Sequence, residues 1–256
     1  LYSGFTLNKD GNVLGVLNDI VDNVPEVTHI ILAFITFDTY GNLSYGDDGS
    51  SGSVYDWSTA SPESRKAFKD EHSDIKIMAS VGGSTTFAVP YDMKASDFAN
   101  NLILMLTDDD DSLIVDGIDL DLERFVKDSY EENKKCADWI IELSHALKKP
   151  DIILSHAPQT PYFSSDGGWQ VTDDDDGNTM VGMYTYIAKE AGDDIDFYNI
   201  QYYNQEPDAS YNDYESIFII DTDYHSSVEQ LITNNVNNHN NKISVSKLGV
   251  GKPIPS

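Results

Sequence analysis

The sequence predicts an α/β fold, a TIM-type (β/α)8 barrel in which the eighth strand is missing from the 256 residues. Apolar runs of β type alternate along the chain with amphipathic segments, which is the pattern of parallel βαβ units. One run, residues 29–37 (HIILAFITF), is apolar at almost every position, as expected of a parallel strand that is buried on both faces. Seven such strands in a chain of this length favour a barrel over an open sheet.

The predicted strands are rich in apolar residues, and most are followed by a segment with apolar residues at helical spacing. The strands are predicted at residues 1–7, 29–37, 75–81, 113–123, 152–156, 195–203 and 247–252, and the helices at residues 13–24, 62–72, 96–106, 130–149, 180–191 and 226–235. No linker, repeat or insertion domain interrupts this series. Residues 1–256 are therefore expected to form a single barrel domain.

The end of the chain bears on how the barrel closes. The sequence stops at Ser256, just after the seventh predicted strand. Without an eighth strand, the first and seventh strands would have unpaired edges, which are prone to unwanted association. We therefore expect the domain either to be incomplete at its C-terminus or to be closed by another segment or chain.

The charge balance restricts the class of partner. The chain has 44 acidic and 16 basic residues, a net charge of −28. Such a chain is repelled by nucleic acid and by anionic membrane surfaces, whereas a neutral polysaccharide is compatible with it. The aspartate runs at 108–111 and 173–176 lack the ligand spacing of a calcium loop, so we interpret them as a solubility or high-salt adaptation and predict no metal. Calcium or mineral binding remains the alternative function for them.

The segment Asp116–Glu123 (DGIDLDLE) carries the chemistry. Because side chains alternate between the faces of a strand, Asp119, Asp121 and Glu123 share one face and the apolar residues among them share the other. Three inward carboxylates repel one another unless protons are shared, which indicates a catalytic reason for their presence. Glu123 lies nearest the carboxyl end of the strand, where barrel active sites form.

The motif DGIDLDLE resembles the DGxDxDxE signature of glycoside hydrolase family 18. Four further segments resemble family motifs in the same order. The one on the fifth strand is similar to the corresponding segment of the plant and fungal class III (hevamine-like) chitinases. The four segments are SVGG at 80–83, LSHAPQTP at 154–161, IDFYNIQYYN at 195–204 and KLGVGKP at 247–253. The resemblance covers nearly the whole chain and stops before the eighth-strand segment that supplies a Trp to the sugar site in the family.

The resemblance implies a substrate-assisted retaining mechanism, in which the 2-acetamido group of the substrate is the nucleophile. Glu123 would protonate the glycosidic oxygen and then act as base toward water. Asp121 would hold the acetamido N–H and stabilise the oxazolinium-like intermediate, while Asp119 would share a proton with Asp121. Tyr203 would donate to the acetamido oxygen, although an error of one residue in facing would exchange it with Tyr202. No metal or organic cofactor is implied.

The resemblance also implies a set of substrate-binding residues, for several of which a purely structural role is the alternative. The set consists of Gln201, Asn204, Gln159, Ser80, Gly82, Gly83 and Phe34. The serine and the two glycines could serve only close backbone packing, and Gln201 could be a core amide. Candidate sugar-stacking aromatic residues on loops are Trp169, Tyr162, Phe163 and Tyr40, and His156 is expected to have a packing role.

The resemblance implies a secreted, endo-acting chitinase that cleaves β-1,4-linked N-acetylglucosamine polymers. No secretory leader is present, so we expect one to have preceded Leu1. An endo-β-N-acetylglucosaminidase acting on N-glycans would share the same acids. A non-catalytic chitin-binding or structural protein on the same barrel is the third alternative, and the intact acid triplet argues against it.

Overall fold

The computed structural model describes residues 2–3, 13–46, 49, 51–84, 86, 89–123, 125–173, 179–203, 213–219, 227–233 and 243–252. The chain divides into two compact units, one formed by residues 1–122 with 149–153 and the other by residues 123–148 with 154–256. Both units are built around parallel strands. The prediction of a single domain over residues 1–256 stays a prediction.

The first unit is a parallel sheet with helical connections. Its elements are β1 Tyr2–Ser3, α1 Val13–Asn23, β2 His29–Phe37, β3 Leu43–Tyr45, α2 Ser53–Thr59, α3 Pro62–Glu71, β4 Lys76–Gly82, α4 Ala95–Met105 and β5 Gly117–Asp121. The parallel strands lie in the order β1-β2-β4-β5, and β3 pairs antiparallel with β2. Seven of the nine residues of β2 are buried, which confirms the prediction from its apolar sequence.

The core of the first unit follows from helical periodicity. Helix α1 buries Val13, Leu17 and Ile20, which recur at the spacing of one helix face. Helix α3 begins where the sequence supplies a start signal, since the Ser61 side chain accepts from the Ser64 backbone N–H and proline occupies the first helical turn. The sequence thus accounts for the buried face of α1 and for the start of α3.

The second unit also contains parallel strands. Its elements are α5 Tyr130–Leu147, β6 Ile153–His156, β7 Gln170–Thr172, β8 Met180–Gly182, α6 Met183–Ala191, β9 Phe197–Gln201, α7 Tyr214–Phe218, α8 Val228–Thr233 and β10 Leu248–Gly251, with 3-10 turns at Thr160–Phe163 and Val245–Lys247. The parallel order is β6-β9-β10, whereas β7 and β8 form a separate antiparallel ribbon.

The observed strands and helices agree with most of the predicted ones and differ at short elements. The seven predicted parallel strands correspond to β1, β2, β4, β5, β6, β9 and β10. The predicted strand at 113–123 begins only at Gly117, and the predicted helix at 180–191 begins at Met183 because residues 180–182 pair with β7 instead. Of the predicted elements, residues 1, 4–7, 226 and 234–235 lie outside the described residues.

Candidate active site

Ser80 on β4 and Asp119 on β5 are register partners, and so are Gly82 and Asp121. The Ser80 hydroxyl donates to Asp119 Oδ2 at 2.8 Å. Ser80 and Asp119 are completely buried and Asp121 is 4% exposed, so both aspartates lie in the interior, as do all five residues of β5. A buried hydroxyl beside a buried carboxyl gives one of its oxygens a donor that water cannot provide there.

Asp116 sets the stagger between these two strands. Its backbone N–H donates to the Ile77 carbonyl at 2.7 Å, and its Oδ2 accepts from the Ile77 N–H at 2.9 Å. The other carboxylate oxygen pairs with Lys69 Nζ at 2.6 Å. The residue just before β5 is therefore bound to the start of β4 by backbone and side chain together.

The SVGG segment at the end of β4 is shaped by close backbone approach. Gly82 has φ 121°, and a Cβ atom at this position would lie 2.0 Å from the Asp121 carbonyl oxygen. The Gly83 N–H donates to that same oxygen at 2.8 Å. Gly83 has φ 85°, and a Cβ atom there would lie 3.3 Å from ring carbons of the partly exposed Phe34. Gly82 thus allows the backbone of β4 to approach that of β5, and Gly83 allows the ring of Phe34 to approach the end of β4.

Glu123 is partly exposed and accepts from an amide at each of its carboxylate oxygens. Gln159 Nε2 lies 3.2 Å from Oε2, and Gln201 Nε2 lies 3.4 Å from Oε1. The two glutamines are brought together by a parallel bridge between them and by the Gln201 N–H, which donates to the carbonyl of Pro158 at 2.9 Å. The sequence motifs at 154–161 and 195–204 therefore meet at Glu123 within the second unit.

Gln201 is both part of the core and directed at Glu123. It is 3% exposed, and its Nε2 also donates to the Ala157 carbonyl at 2.9 Å. Of the two following tyrosines, Tyr202 is 1% exposed, whereas Tyr203 is partly exposed. Burial therefore leaves Tyr203 as the one of the pair with access to solvent. The predicted site residue Asn204 lies outside the described residues.

Tyr162 has a position that the sequence did not predict. Its hydroxyl donates to the Glu123 backbone carbonyl at 2.7 Å and lies 3.2 Å from Gln159 Oε1. Tyr162 is 3% exposed and Phe163 is 1% exposed, so neither ring is available for sugar stacking. Trp169 is partly exposed. The signal that could have indicated Tyr162 is its place three residues after Gln159 in the 3-10 turn.

His156 is completely buried in the second unit. Its Nε2 lies 3.2 Å from Ser144 Oγ and its Nδ1 lies 3.5 Å from the Tyr184 hydroxyl. Burial lowers the pKa of His156 to about 3, so the ring is neutral at physiological pH. These contacts are those of the packing role that the sequence indicates. Within the described ranges, no cluster of three or more His, Cys, Asp or Glu side chains could hold a metal ion.

Comparison with known proteins places the chain in a family. The model of glycosyl hydrolases family 18 matches residues 2–252, so the chain belongs to that family. A curated relative is Chitinase 1 of Tulipa saxatilis subsp. bakeri, which is 27% identical over 191 residues, covering 73% of this chain and 54% of that protein. The chain thus spans about half the length of this plant relative. The resemblance stated from the motifs is confirmed.

Solved structures share the fold. A GH18 chitinase from Pseudoalteromonas aurantia superposes with a TM-score of 0.56 at 22% identity, over 89% of this chain and 73% of that one. The chitinase domain of the spore coat protein CotE from Clostridium difficile gives a TM-score of 0.52 at 17% identity, over 88% of this chain and 59% of that one. The family and these likenesses confirm the predicted (β/α)8 class. The helices that the structure describes include none that is long and apolar enough to cross a lipid bilayer.

Proposed function

We propose that the chain is an endo-acting chitinase, which hydrolyses β-1,4-linked N-acetylglucosamine polymers by a substrate-assisted retaining mechanism. The observation that carries the proposal is the environment of Glu123, a partly exposed carboxyl with a glutamine donor at each oxygen. Glu123 ends the acidic motif of a chain that belongs to family 18. A general acid must be reachable by the glycosidic oxygen and held in one orientation. The partial exposure of Glu123 supports the first property, and its two amide contacts support the second.

In the first step, Glu123 gives its proton to the glycosidic oxygen. The bond from that oxygen to the anomeric carbon breaks while the acetamido oxygen of the same sugar forms a bond to that carbon. In the second step, Glu123 removes a proton from water, the water oxygen bonds to the anomeric carbon, and the oxazolinium ring opens. Because the anomeric carbon is inverted twice, the product keeps the configuration of the substrate.

Asp121, Asp119 and Tyr203 are proposed to manage the acetamido group. Asp121 accepts its N–H and faces the positive charge of the intermediate, and Asp119 shares a proton with Asp121. The complete burial of Asp119 supports this role, because desolvation favours the neutral form of a carboxyl that lies beside a second acid, and the bond from Ser80 orients that carboxyl. Tyr203 is proposed to donate to the acetamido oxygen, and its partial exposure is consistent with that contact.

The remaining predicted residues are proposed to form the sugar-binding walls. Gln159 and Gln201 would contribute their amides next to Glu123. Phe34, whose ring lies close to Gly83, would contribute an apolar surface. Ser80 acts through Asp119, and Gly82 acts by allowing the strand to approach Asp121. Asn204 is proposed for the same wall from its place in the QxYN motif alone.

The test uses three substrates and one variant. The purified chain is incubated with chitotetraose, with soluble chitin polymer and with a high-mannose glycopeptide, and the products are separated by chromatography. We expect internal cleavage of both chitin substrates and none of the glycopeptide. Cleavage of the glycopeptide alone would favour an endo-β-N-acetylglucosaminidase, and binding of chitotetraose without any cleavage would favour a non-catalytic protein. Glu123→Gln is expected to abolish hydrolysis and to retain binding.

We also propose that the protein acts outside the cell, because chitin is an insoluble polymer that a cytoplasmic enzyme would not meet. Its strongly negative surface is compatible with such a neutral substrate. Mass spectrometry of the protein recovered from culture medium of the source organism tests this location. Recovery only from the cell interior would contradict it.

A further inference from the structure

Tyr162 bridges two parts of Glu123. Its hydroxyl lies 2.7 Å from the Glu123 backbone carbonyl oxygen and 3.2 Å from Gln159 Oε1, while Gln159 Nε2 lies 3.2 Å from Glu123 Oε2. The three residues therefore close a ring of hydrogen bonds that begins and ends on Glu123. We infer that Tyr162 is a positioning residue that, through Gln159, holds the Glu123 carboxyl in both its ionised and its protonated form. This inference rests on the proposed function, in which Glu123 must alternate between the two forms.

The ring of contacts fits the ionised form as it stands. An ionised carboxylate can only accept hydrogen bonds, and Gln159 Nε2 and Gln201 Nε2 supply one donor to each oxygen. The Gln159 amide oxygen then faces the Tyr162 hydroxyl, which donates and is shared with the backbone carbonyl of Glu123. The single proton of the Tyr162 hydroxyl therefore lies between two acceptors, the nearer of which is the Glu123 carbonyl oxygen.

The same ring fits the protonated form after one rotation. A side-chain amide has a donor end and an acceptor end of nearly equal size, so Gln159 can occupy the same space when turned by half a turn. The protonated Glu123 Oε2 then donates to Gln159 Oε1, and Gln159 Nε2 donates to the Tyr162 oxygen. Tyr162 keeps its own proton on the Glu123 backbone carbonyl. No polar atom of the ring loses its partner in this exchange.

The surroundings of Tyr162 hold its hydroxyl in place. The ring packs edge-on against Phe125 at 4.7 Å and against Trp169 at 5.7 Å between centroids, and the residue is 3% exposed. A buried ring between aromatic neighbours has few rotamers, so the hydroxyl is a fixed reference for the amide of Gln159. Because Tyr162 also donates to the backbone carbonyl of Glu123, its hydroxyl stays at a fixed distance from the residue whose carboxyl it positions.

The test removes the Tyr162 hydroxyl and keeps its aromatic ring. For Tyr162→Phe we expect kcat for chitotetraose to fall about tenfold, equivalent to about 1.4 kcal/mol, while KM stays within about twofold. A merely structural tyrosine would not separate kcat from KM in this way. A crystal structure of the variant is expected to show the Glu123 carboxyl in more than one orientation. A wild-type kcat, or a single unchanged orientation of Glu123, would overturn the inference.

Tyr184→Phe is the matched control. Tyr184 is buried and its ring lies 6.3 Å from that of Tyr162, but its hydroxyl points to His156 Nδ1 at 3.5 Å. This variant loses the same atom from the same aromatic cluster, so we expect wild-type kcat and one orientation of Glu123. An equal loss of kcat in both variants would show that any buried hydroxyl of the cluster matters and would overturn the specific role of Tyr162.

A double variant tests the route through Gln159. If Tyr162 acts through Gln159, the loss in kcat for Tyr162→Phe with Gln159→Leu will be smaller than the product of the two single losses. Multiplicative losses would overturn the coupling. Should the wild type cleave no chitin substrate, the proposed function fails, whereas the number of Glu123 orientations in the crystal structures still decides on Tyr162 by itself.

Discussion

The Ser80 hydroxyl donates to Asp119 Oδ2 at 2.8 Å across two neighbouring parallel strands, and both side chains are completely buried. Ser80 stands opposite Asp119 in the register of β4 and β5, so the contact is fixed by the strand pairing. The Ser80 hydroxyl supplies the buried Asp119 carboxyl with a hydrogen-bond donor that water would otherwise have to provide. The family motif that includes Ser80 thus has a direct physical connection with the motif that includes Asp119.

Replacing Ser80 by alanine is expected to lower the free energy of unfolding by about 1–3 kcal/mol, because Asp119 Oδ2 loses a buried donor. Activity on chitotetraose is expected to fall as well, since Asp119 is proposed to share a proton with Asp121. Urea unfolding and initial rates measure the two effects. Ser58→Ala, which removes a partly buried bond to the Tyr55 carbonyl, is the control and should change stability by less. Equal effects of the two variants would contradict the role of Ser80.

Gly82→Ala is expected to prevent folding to the native state or to lower stability by more than about 3 kcal/mol. An added Cβ would stand 2.0 Å from the Asp121 carbonyl oxygen, and neither backbone can move without breaking the strand pair. Gly49→Ala is the matched control, because Gly49 also has a positive φ, yet a Cβ there meets only Ser44 Oγ at 3.5 Å. Circular dichroism and thermal melting compare the two. A native melting curve for Gly82→Ala would refute the close approach.

Gln201→Glu is expected to reduce kcat/KM by at least about tenfold. The change keeps the size of the side chain but replaces the amide that donates to Glu123 Oε1 at 3.4 Å by a second carboxyl. It also removes a donor from the Ala157 carbonyl. Rates on chitotetraose measure the effect, and Gln201→Met, which is uncharged, separates the loss of the donor from the added charge. Activity in Gln201→Glu equal to that of the methionine variant would show that charge at this position is unimportant.

His156 is expected to make stability depend on pH below neutrality. The unfolded histidine takes up a proton near pH 6.5, whereas burial lowers the pKa of the folded group to about 3, so acidification between these values favours unfolding. The contribution approaches about 1.4 kcal/mol per pH unit well inside that interval. Urea unfolding of wild type and His156→Gln from pH 7 down to 4 measures it, and the variant is expected to lose stability less steeply. Parallel slopes would contradict the expectation.

The sequence predicted the long parallel strands and the acidic motif because both have strong periodic signals. β2 is apolar at almost every position, and Asp119 and Asp121 alternate with isoleucine and leucine, so each segment is recognisable as a strand from its sequence. The ribbon of β7 and β8 was missed because each strand has only three residues and its pairing is decided by tertiary packing.

The sequence predicts Glu123, Gln159 and Gln201 as site residues, and the structure brings these three together, but the sequence does not predict the contact with Tyr162. The sequence indicates Tyr162 only as a candidate sugar-stacking residue on a loop, since a sequence shows the ring and not the direction of its hydroxyl. Its burial and its bond to the Glu123 carbonyl depend on the turn at Thr160–Phe163 and on rings distant in the chain. Contacts of this kind have no period and no motif, so only the folded chain reveals them.

Asp116 bears on which face of β5 each residue of the motif occupies. It joins the start of β5 to Ile77 by two hydrogen bonds and to Lys69 by an ion pair. An alternating sequence has two possible phases, and a slip by one residue would turn the aspartates of β5 outward and its leucine inward. Because these contacts hold the residue just before Gly117, they favour one phase for the strand that follows. A residue outside the strand therefore helps to fix which of the two faces of β5 carries Asp119 and Asp121.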